Sequence, residues 1–283
     1  MKIRMVLLQA IFLYFSFILY AETIIDDVGR KVELKLPVSS VVSLSPAHTE
    51  MIYFLGGEDK LKAISVNCNY PKETVSKDKA GTFLNPDIEK ILKLNPDLVI
   101  SGGGIQKKAI KNLENLNIPV LVLYPPDIDG IIENMNLLSF ILGCKTCFEK
   151  IKKFETLSKV RKARNIRIYV ELWDKPMMSV GGVSFINDII KRAGAENILN
   201  YSKQEYPKVS DETIISKKPD IIILLYEPGK NFKDKLRFKK TPAGKNNNIF
   251  VMTKQQQDIF LRTGPRVIDA ISILEDLINK AKK

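Results

Sequence analysis

The residues of this sequence best suited to chemistry are one histidine, three cysteines and a run of glycines. His48 lies in SLSPAHTE, residues 43–50, where a short apolar run meets a proline and a polar triplet that opens a helix. An imidazole there could act as a general base or a metal ligand, but each role needs companions. A nucleophilic triad would need a serine in a sharp strand-to-helix turn of the G-x-S-x-G kind, and no such motif is present. A zinc site needs clustered ligands, whereas Cys68 lies far along the chain from Cys144 and Cys147. The turn itself is the stronger feature, because backbone N–H groups at a helix start can hold an anionic or carbonyl group of a ligand. His48 is read as shaping or capping that turn.

CKTC, residues 144–147, has the C-x-x-C spacing of redox sites. It follows a helical pattern, NLLSFILG, and no thioredoxin-like strand–helix–strand frame surrounds it. A local disulfide and a pair of free thiols at a helix start both fit; an exported thiol-redox protein or enzyme is the reading from another class. SGGGIQKK, residues 101–108, follows a strand-like run but lacks G-x-G-x-x-G spacing, and G-x-x-x-x-G-K-[ST] is absent. No catalytic residue, resident cofactor or metal site is expected.

These residues must be positioned by elements, and the apolar runs show which. VVSLS (41–45), LKAISV (61–66), DLVIS (97–101) and VLVLY (120–124) lie in the first half. IRIYVEL (166–172), DIIILLY (220–226) and NIFVMT (248–253) lie in the second. Amphipathic stretches separate them, among them Gln106–Leu116, Ile131–Leu142 and Ile186–Arg192. Such alternation predicts an α/β protein with mainly parallel sheets flanked by helices. An internal repeat sharpens the expectation. DIEKILKLNPDLVIS, from Asp87, and DETIISKKPDIIILL, from Asp211, align when Pro96 is set on Pro219, which also sets Glu89 on Glu212. HTEMIYFLGGEDKL (48–61) and INDIIKRAGAENIL (186–199) form a second pair, with Gly56 on Gly194. The two pairs occur in the same order in each half, which predicts two similar lobes, residues 22–143 and 166–283.

Between them, Thr146–Asn165 carries an apolar stripe of Phe148, Ile151, Phe154, Leu157 and Val160 with no glycine or proline. It predicts one rigid helix of about 18 residues, about 27 Å long, within a connector spanning 144–165. Two lobes held apart in this way leave a permanent cleft, a common ligand site.

Composition bounds the partners. The chain has 283 residues, 45% hydrophobic, with a formal net charge of +12. Its lysines are scattered rather than gathered in an arm or stripe, so a solvated basic surface is expected and not a nucleic-acid interface. At the N-terminus, Lys2 and Arg4 precede the apolar run Met5–Tyr20, and Ala21 is followed by the polar ETIIDDVGRK. That is the layout of a cleavable export signal, residues 1–21, shorter in its apolar part than the roughly 20 residues that span a bilayer comfortably. A retained anchor is the alternative. Export places the mature chain in an oxidising compartment.

Four stretches together carry a resemblance: VVSLSPAHTEMIYFLGGEDKLKAISVNCNYP (41–71), AGTFLNPDIEKILKLNPDLVISGGG (80–104), VSDETIISKKPDIIILL (209–225) and FLRTGPRVIDAI (260–271). The chain resembles the helical-backbone substrate-binding proteins of bacterial ABC importers, whose ligands are cobalamin, ferric siderophores and haem, and most of all their cobalamin-binding members. The resemblance covers nearly the whole mature chain. It implies a periplasmic protein, monomeric alone, that delivers a large chelate to a dimeric ABC importer permease. It implies ligand contacts at Ser45, Asn67, Cys68, Phe83, Tyr206, Asp258 and Arg262, and docking to the permease through Glu89 and Glu212. Two positions depart from the pattern: Gly102 stands where a ligand-facing tryptophan is expected, and Asn67 where a tyrosine is.

Overall fold

A computed structural model describes residues 20–281, so the expected signal, residues 1–21, lies almost wholly outside the described residues. The chain enters through an antiparallel hairpin, β1 (Tyr20–Ile25) and β2 (Lys31–Leu36). In β2 the alternation KVELKL sends Val32, Leu34 and Leu36 into the core and the charged residues to water.

The first sheet holds β3 (Val41–Ser43), β4 (Leu61–Ile64), β5 (Asp78–Lys79), β6 (Leu98–Ser101) and β7 (Val120–Val122), all parallel, in the order β5-β4-β3-β6-β7. The second holds β8 (Arg167–Asp174), β9 (Met177–Ser179), β10 (Glu196–Asn197), β11 (Ile221–Leu224) and β12 (Ile249–Val251). Its parallel part runs β10-β8-β11-β12, and β9 pairs antiparallel with β8. Apart from β5 and β9 the two sheets have the same strand order. The inner strands β6 and β11 are buried along their whole length and apolar apart from Ser101, as strands covered on both faces must be.

Helices α1 (Pro46–Leu55), α2 (Ile88–Leu94) and α3 (Lys107–Asn115) belong to the first lobe. After α4 (Ile128–Ile141) and α5 (Cys147–Leu157) come α6 (Phe185–Arg192), α7 (Asp211–Lys217), α8 (Leu236–Lys239), α9 (Pro242–Lys245), α10 (Lys254–Leu261) and α11 (Val267–Lys280) in the second. The repeat is visible in the caps. Asp87 and Ser210 each accept a backbone N–H in the first turn of α2 and α7. Asn95 (φ 42°) and Lys218 (φ 49°) end those helices in the left-handed region. Asp97 then accepts the Ser39 and Ser40 amides, and Asp220 the Arg167 amide, so each Pro-Asp turn ties one strand to the start of its neighbour. Gly56 (φ 76°) and Gly194 (φ 82°) close α1 and α6 in the same way.

The connection between lobes differs from the expectation. Its helix, α5, runs 11 residues and ends at Leu157. Its buried stripe is Cys147, Ile151 and Phe154, while Phe148, Leu157 and Val160 are exposed. Beyond Ser158 the backbone lies along the end of α6, where the Arg161 and Arg164 amides donate to the Arg192 and Gly194 carbonyls. Arg192 is the last residue of α6 and Gly194 lies just beyond it, so these carbonyls lack helical partners, and satisfying them takes the chain out of the helix. A second helix shares the span. The first turn of α4 meets α6, with the Ile128 amide on Asp188 and Asp129 on Arg192, and its last carbonyl accepts from the Val38 amide of the first lobe. One core cluster accordingly runs from the first lobe through α4 and α5 into the second. Cys144 and Cys147 form a disulfide at the start of α5, which decides between the two thiol readings.

Among the described residues no helix is long and apolar enough to cross a membrane.

Candidate ligand-binding site

Parallel strands deliver their C-terminal ends to one edge, and ligand sites of α/β proteins gather there. Residues just past β3 (Ser45, Pro46), β4 (Val66, Asn67), β6 (Gly102) and β7 (Leu123, Tyr124) line a cleft of about 540 Å³. The second lobe closes it with Phe185, Glu205, Tyr206, Asp258 and Arg262.

Six of the seven expected contact residues line this cleft: Ser45, Asn67, Phe83, Tyr206, Asp258 and Arg262. The seventh, Cys68, does not. It is buried, with its thiol 3.2 Å from the Thr49 hydroxyl, which donates to Ser43. Burial pushes that thiol up, and the Thr49 hydrogen bond offsets only part of the effect. Cys68 is a core residue beneath the Asn67 loop.

Phe83 is held from behind. Its amide donates to Asn67 Oδ1 at 2.8 Å, and its carbonyl accepts from Gln106 Nε2 at 2.7 Å. Gln106 is 1% exposed and also accepts from the Ser101 hydroxyl and the Gly102 amide while reaching the Leu44 carbonyl. One buried amide thus joins the ends of β3 and β6 to the Phe83 loop. The sequence departure at Gly102 has a local counterpart: a Cβ there would lie 3.4 Å from the Phe83 ring, so the ring stands beside the vacant side-chain position.

Asp258 and Arg262 do pair, at 2.9 Å, but within a wider network between lobes. Arg262 also donates to Asn69 at 2.7 Å and to Glu50 at 2.8 Å, and Asn69 donates to Asp258. Glu50 accepts two further hydrogen bonds from Arg266, whose guanidinium stacks 4.2 Å from the centre of the Tyr70 ring. At another place on the cleft wall the Tyr124 hydroxyl donates to Glu205 at 3.2 Å, again joining the lobes. Burial and the adjacent Glu205 carboxylate push the Tyr206 phenol up, so it is a neutral hydroxyl at any physiological pH.

His48 lines the cleft but is 1% exposed. Burial pushes its imidazole down to about 4, against a hydrogen bond with the Leu123 backbone that raises it. It is neutral at pH 7, its Nδ1 has no partner, and the cap position of α1 belongs to Ser45. His48 therefore shapes the wall, joining α1 to the end of β7. Glu89 and Glu212 stand outside the cleft, both exposed in the first turns of α2 and α7. Among the described residues no group of three or more metal-ligating side chains is present.

Glu50, Gln106, Tyr124 and Glu205 were not foreseen from the sequence. Only Glu50 had a visible signal, as the last residue of SLSPAHTE.

The fold and this cleft are those of a two-lobed binding protein. The chain belongs to the periplasmic binding protein family, whose pattern matches residues 41–256. It is 28% identical over 243 residues to the vitamin B12-binding protein of Vibrio parahaemolyticus, covering 83% of this chain and 87% of that one. Two solved structures share the fold. A possible iron-binding, periplasmic solute-binding protein of Staphylococcus epidermidis superposes with a TM-score of 0.76 at 24% identity, covering 86% of this chain and 100% of that one. The periplasmic heme-binding protein of Vibrio cholerae superposes with a TM-score of 0.72 at 21% identity, covering 84% and 98%.

Proposed function

We propose that this chain is an exported periplasmic receptor that captures a large metal chelate, most favourably cobalamin or a related corrinoid, and delivers it to an ABC import permease. The observation that carries the reading is the cleft itself: an aromatic residue from each lobe, Phe83 and Tyr206, surrounded by amide and carboxylate groups. A corrinoid has a broad planar body suited to aromatic contact and a rim of amides suited to Asn67, Asn69, Glu205 and Asp258. The similarity to a vitamin B12-binding protein supports the same ligand class. The chemistry asked of the protein is binding and release, and no residue is assigned a catalytic role.

A ferric siderophore or haem is the second reading. Two phenols, Tyr124 and Tyr206, line the cleft and could approach an iron centre, and the likeness to iron- and heme-binding proteins favours it. Delivery would use Glu89 and Glu212, which occupy repeat-equivalent places on α2 and α7 and could meet two equivalent basic pockets of a symmetric permease.

Calorimetric titration of the mature chain with cyanocobalamin, dicyanocobinamide, haemin and a ferric tris-catecholate tests the ligand class. Tightest binding to a corrinoid is expected. Tightest binding to haemin or the catecholate would replace it with the second reading.

A further inference from the structure

Four acidic or basic side chains line the cleft, Glu205 and Asp258 on one side of the balance and Lys254 and Arg262 on the other. Four residues further on, at the cap position of α11, stands Arg266. Two guanidiniums so placed are what a carboxylate, phosphate or catecholate ligand would need, because each offers a planar fork of donors to paired oxygens. Here both terminal nitrogens of Arg262, and Nε and Nη2 of Arg266, already face carboxylates. Glu50 Oε1 accepts from Arg262 Nη1 at 2.8 Å and from Arg266 Nη2 at 2.6 Å, and Glu50 Oε2 accepts from Arg266 Nε at 2.7 Å. The other terminal nitrogen of Arg262 faces Asp258 at 2.9 Å. Glu50 is 3% exposed, so its charge is shielded little by water and acts on both guanidiniums at close range.

We propose that Glu50 sets the charge preference of the cleft. By engaging Arg262 and Arg266 together it withholds them from anions, and the cleft takes a chelate without net negative charge. With Asp258 the cluster comprises two carboxylates and two guanidiniums and is balanced. Lys254, exposed at the rim, is then the lining cation left outside the cluster. This inference rests on the cleft being the chelate site proposed above. It adds the residue that discriminates between the two ligand readings, and that residue belongs to α1 of the opposite lobe, where no contact with the ligand is required.

The test compares wild type with Glu50→Gln, which keeps the side-chain shape and removes the charge. Affinities are measured for cyanocobalamin, which has no net charge, and for a trianionic ferric tris-catecholate, at low and high ionic strength. In Glu50→Gln the ratio of catecholate to cyanocobalamin affinity should rise at least about tenfold, and the gain should shrink at high salt, since it comes from a released cation. Asp258→Asn, which removes the more accessible partner of Arg262, should move the ratio in the same direction and carries the test if Glu50→Gln does not fold. A ratio within about twofold of wild type in every folded variant overturns the inference, as does a wild-type protein that prefers the catecholate. If the wild type binds neither cyanocobalamin nor the catecholate while Glu50→Gln gains the catecholate, the corrinoid reading fails and the role of Glu50 stands.

Discussion

Phe83 and Tyr206 are separated by the same offset that relates Pro96 to Pro219 and Glu89 to Glu212, and both line the cleft, one from each lobe. They are equivalent positions of the internal repeat. In each lobe the aromatic precedes a capped helix, α2 or α7, by the same few residues, and that helix carries the exposed glutamate. The two lobes therefore present the same device to the cleft: an aromatic side chain at the end of a short strap whose other end is a capped helix.

The two straps are braced differently, and Gln106 braces the first. Gln106→Leu should remove the hydrogen bonds to Phe83, Leu44, Ser101 and Gly102 and free the Phe83 loop. Amide hydrogen exchange of residues 80–86 in the ligand-free protein should then speed up, with slower exchange elsewhere in the first sheet retained. In a double-mutant cycle with Phe83→Ala, the effects on ligand affinity should be non-additive, because Gln106 acts through Phe83. Additive losses would make Gln106 an ordinary core residue.

His48 makes stability depend on pH. Its folded-state value of about 4 lies below the unfolded value of 6.5, so between those limits the unfolded chain binds the proton and the folded chain does not. The contribution of the neutral imidazole is complete above pH 6.5 and is lost as pH falls toward 4, by roughly 3 kcal/mol in all at 1.36 kcal/mol per unit. His48→Gln should flatten this part of a curve of thermal midpoint against pH. As His48 is the chain's one histidine, an unchanged slope between pH 4 and 6.5 would show that the imidazole titrates normally.

Reversing Glu89 and Glu212 separates capture from delivery. Both side chains are exposed and outside the cleft. Glu89→Arg with Glu212→Arg should leave ligand affinity intact while abolishing complex formation with the permease and ligand uptake. Uptake at the wild-type rate in the double variant would remove both glutamates from the docking surface.

The Cys144–Cys147 disulfide lies against the Leu55 carbonyl, at the C-terminal end of α1, whereas the cleft lies at its N-terminal end. Dithiothreitol should therefore leave ligand affinity within about twofold of its starting value. Loss of binding, or exchange activity with a reducible substrate, would point to a redox function.

The fold was legible because its signals are local and occur twice. Asp87 as a cap, the Pro-Asp turns at 96–97 and 219–220, and glycine after α1 and α6 each act within a few residues. The end of α5 was not legible, because it is decided by carbonyls of α6 more than thirty residues away along the chain. In the site, Phe83 and Tyr206 could be placed through the resemblance, but the partners of Arg262 could not. Glu50 lies 212 residues away from it and carries no local pattern that announces a salt bridge. Cys68 misled for a related reason. It adjoins cleft-lining Asn67, and only the position of the Thr49 hydroxyl shows that its side chain turns inward.

The central claim is that a corrinoid is held between the two lobes by Phe83 and Tyr206. It is tested most directly by calorimetric titration of cyanocobalamin into the mature wild-type chain and into Phe83→Ala and Tyr206→Ala. Wild type should bind one equivalent, and each substitution should weaken binding at least about tenfold, as expected from losing about 1.5–3 kcal/mol of aromatic burial. Wild-type affinity retained in both variants, or no binding to wild type, would contradict it.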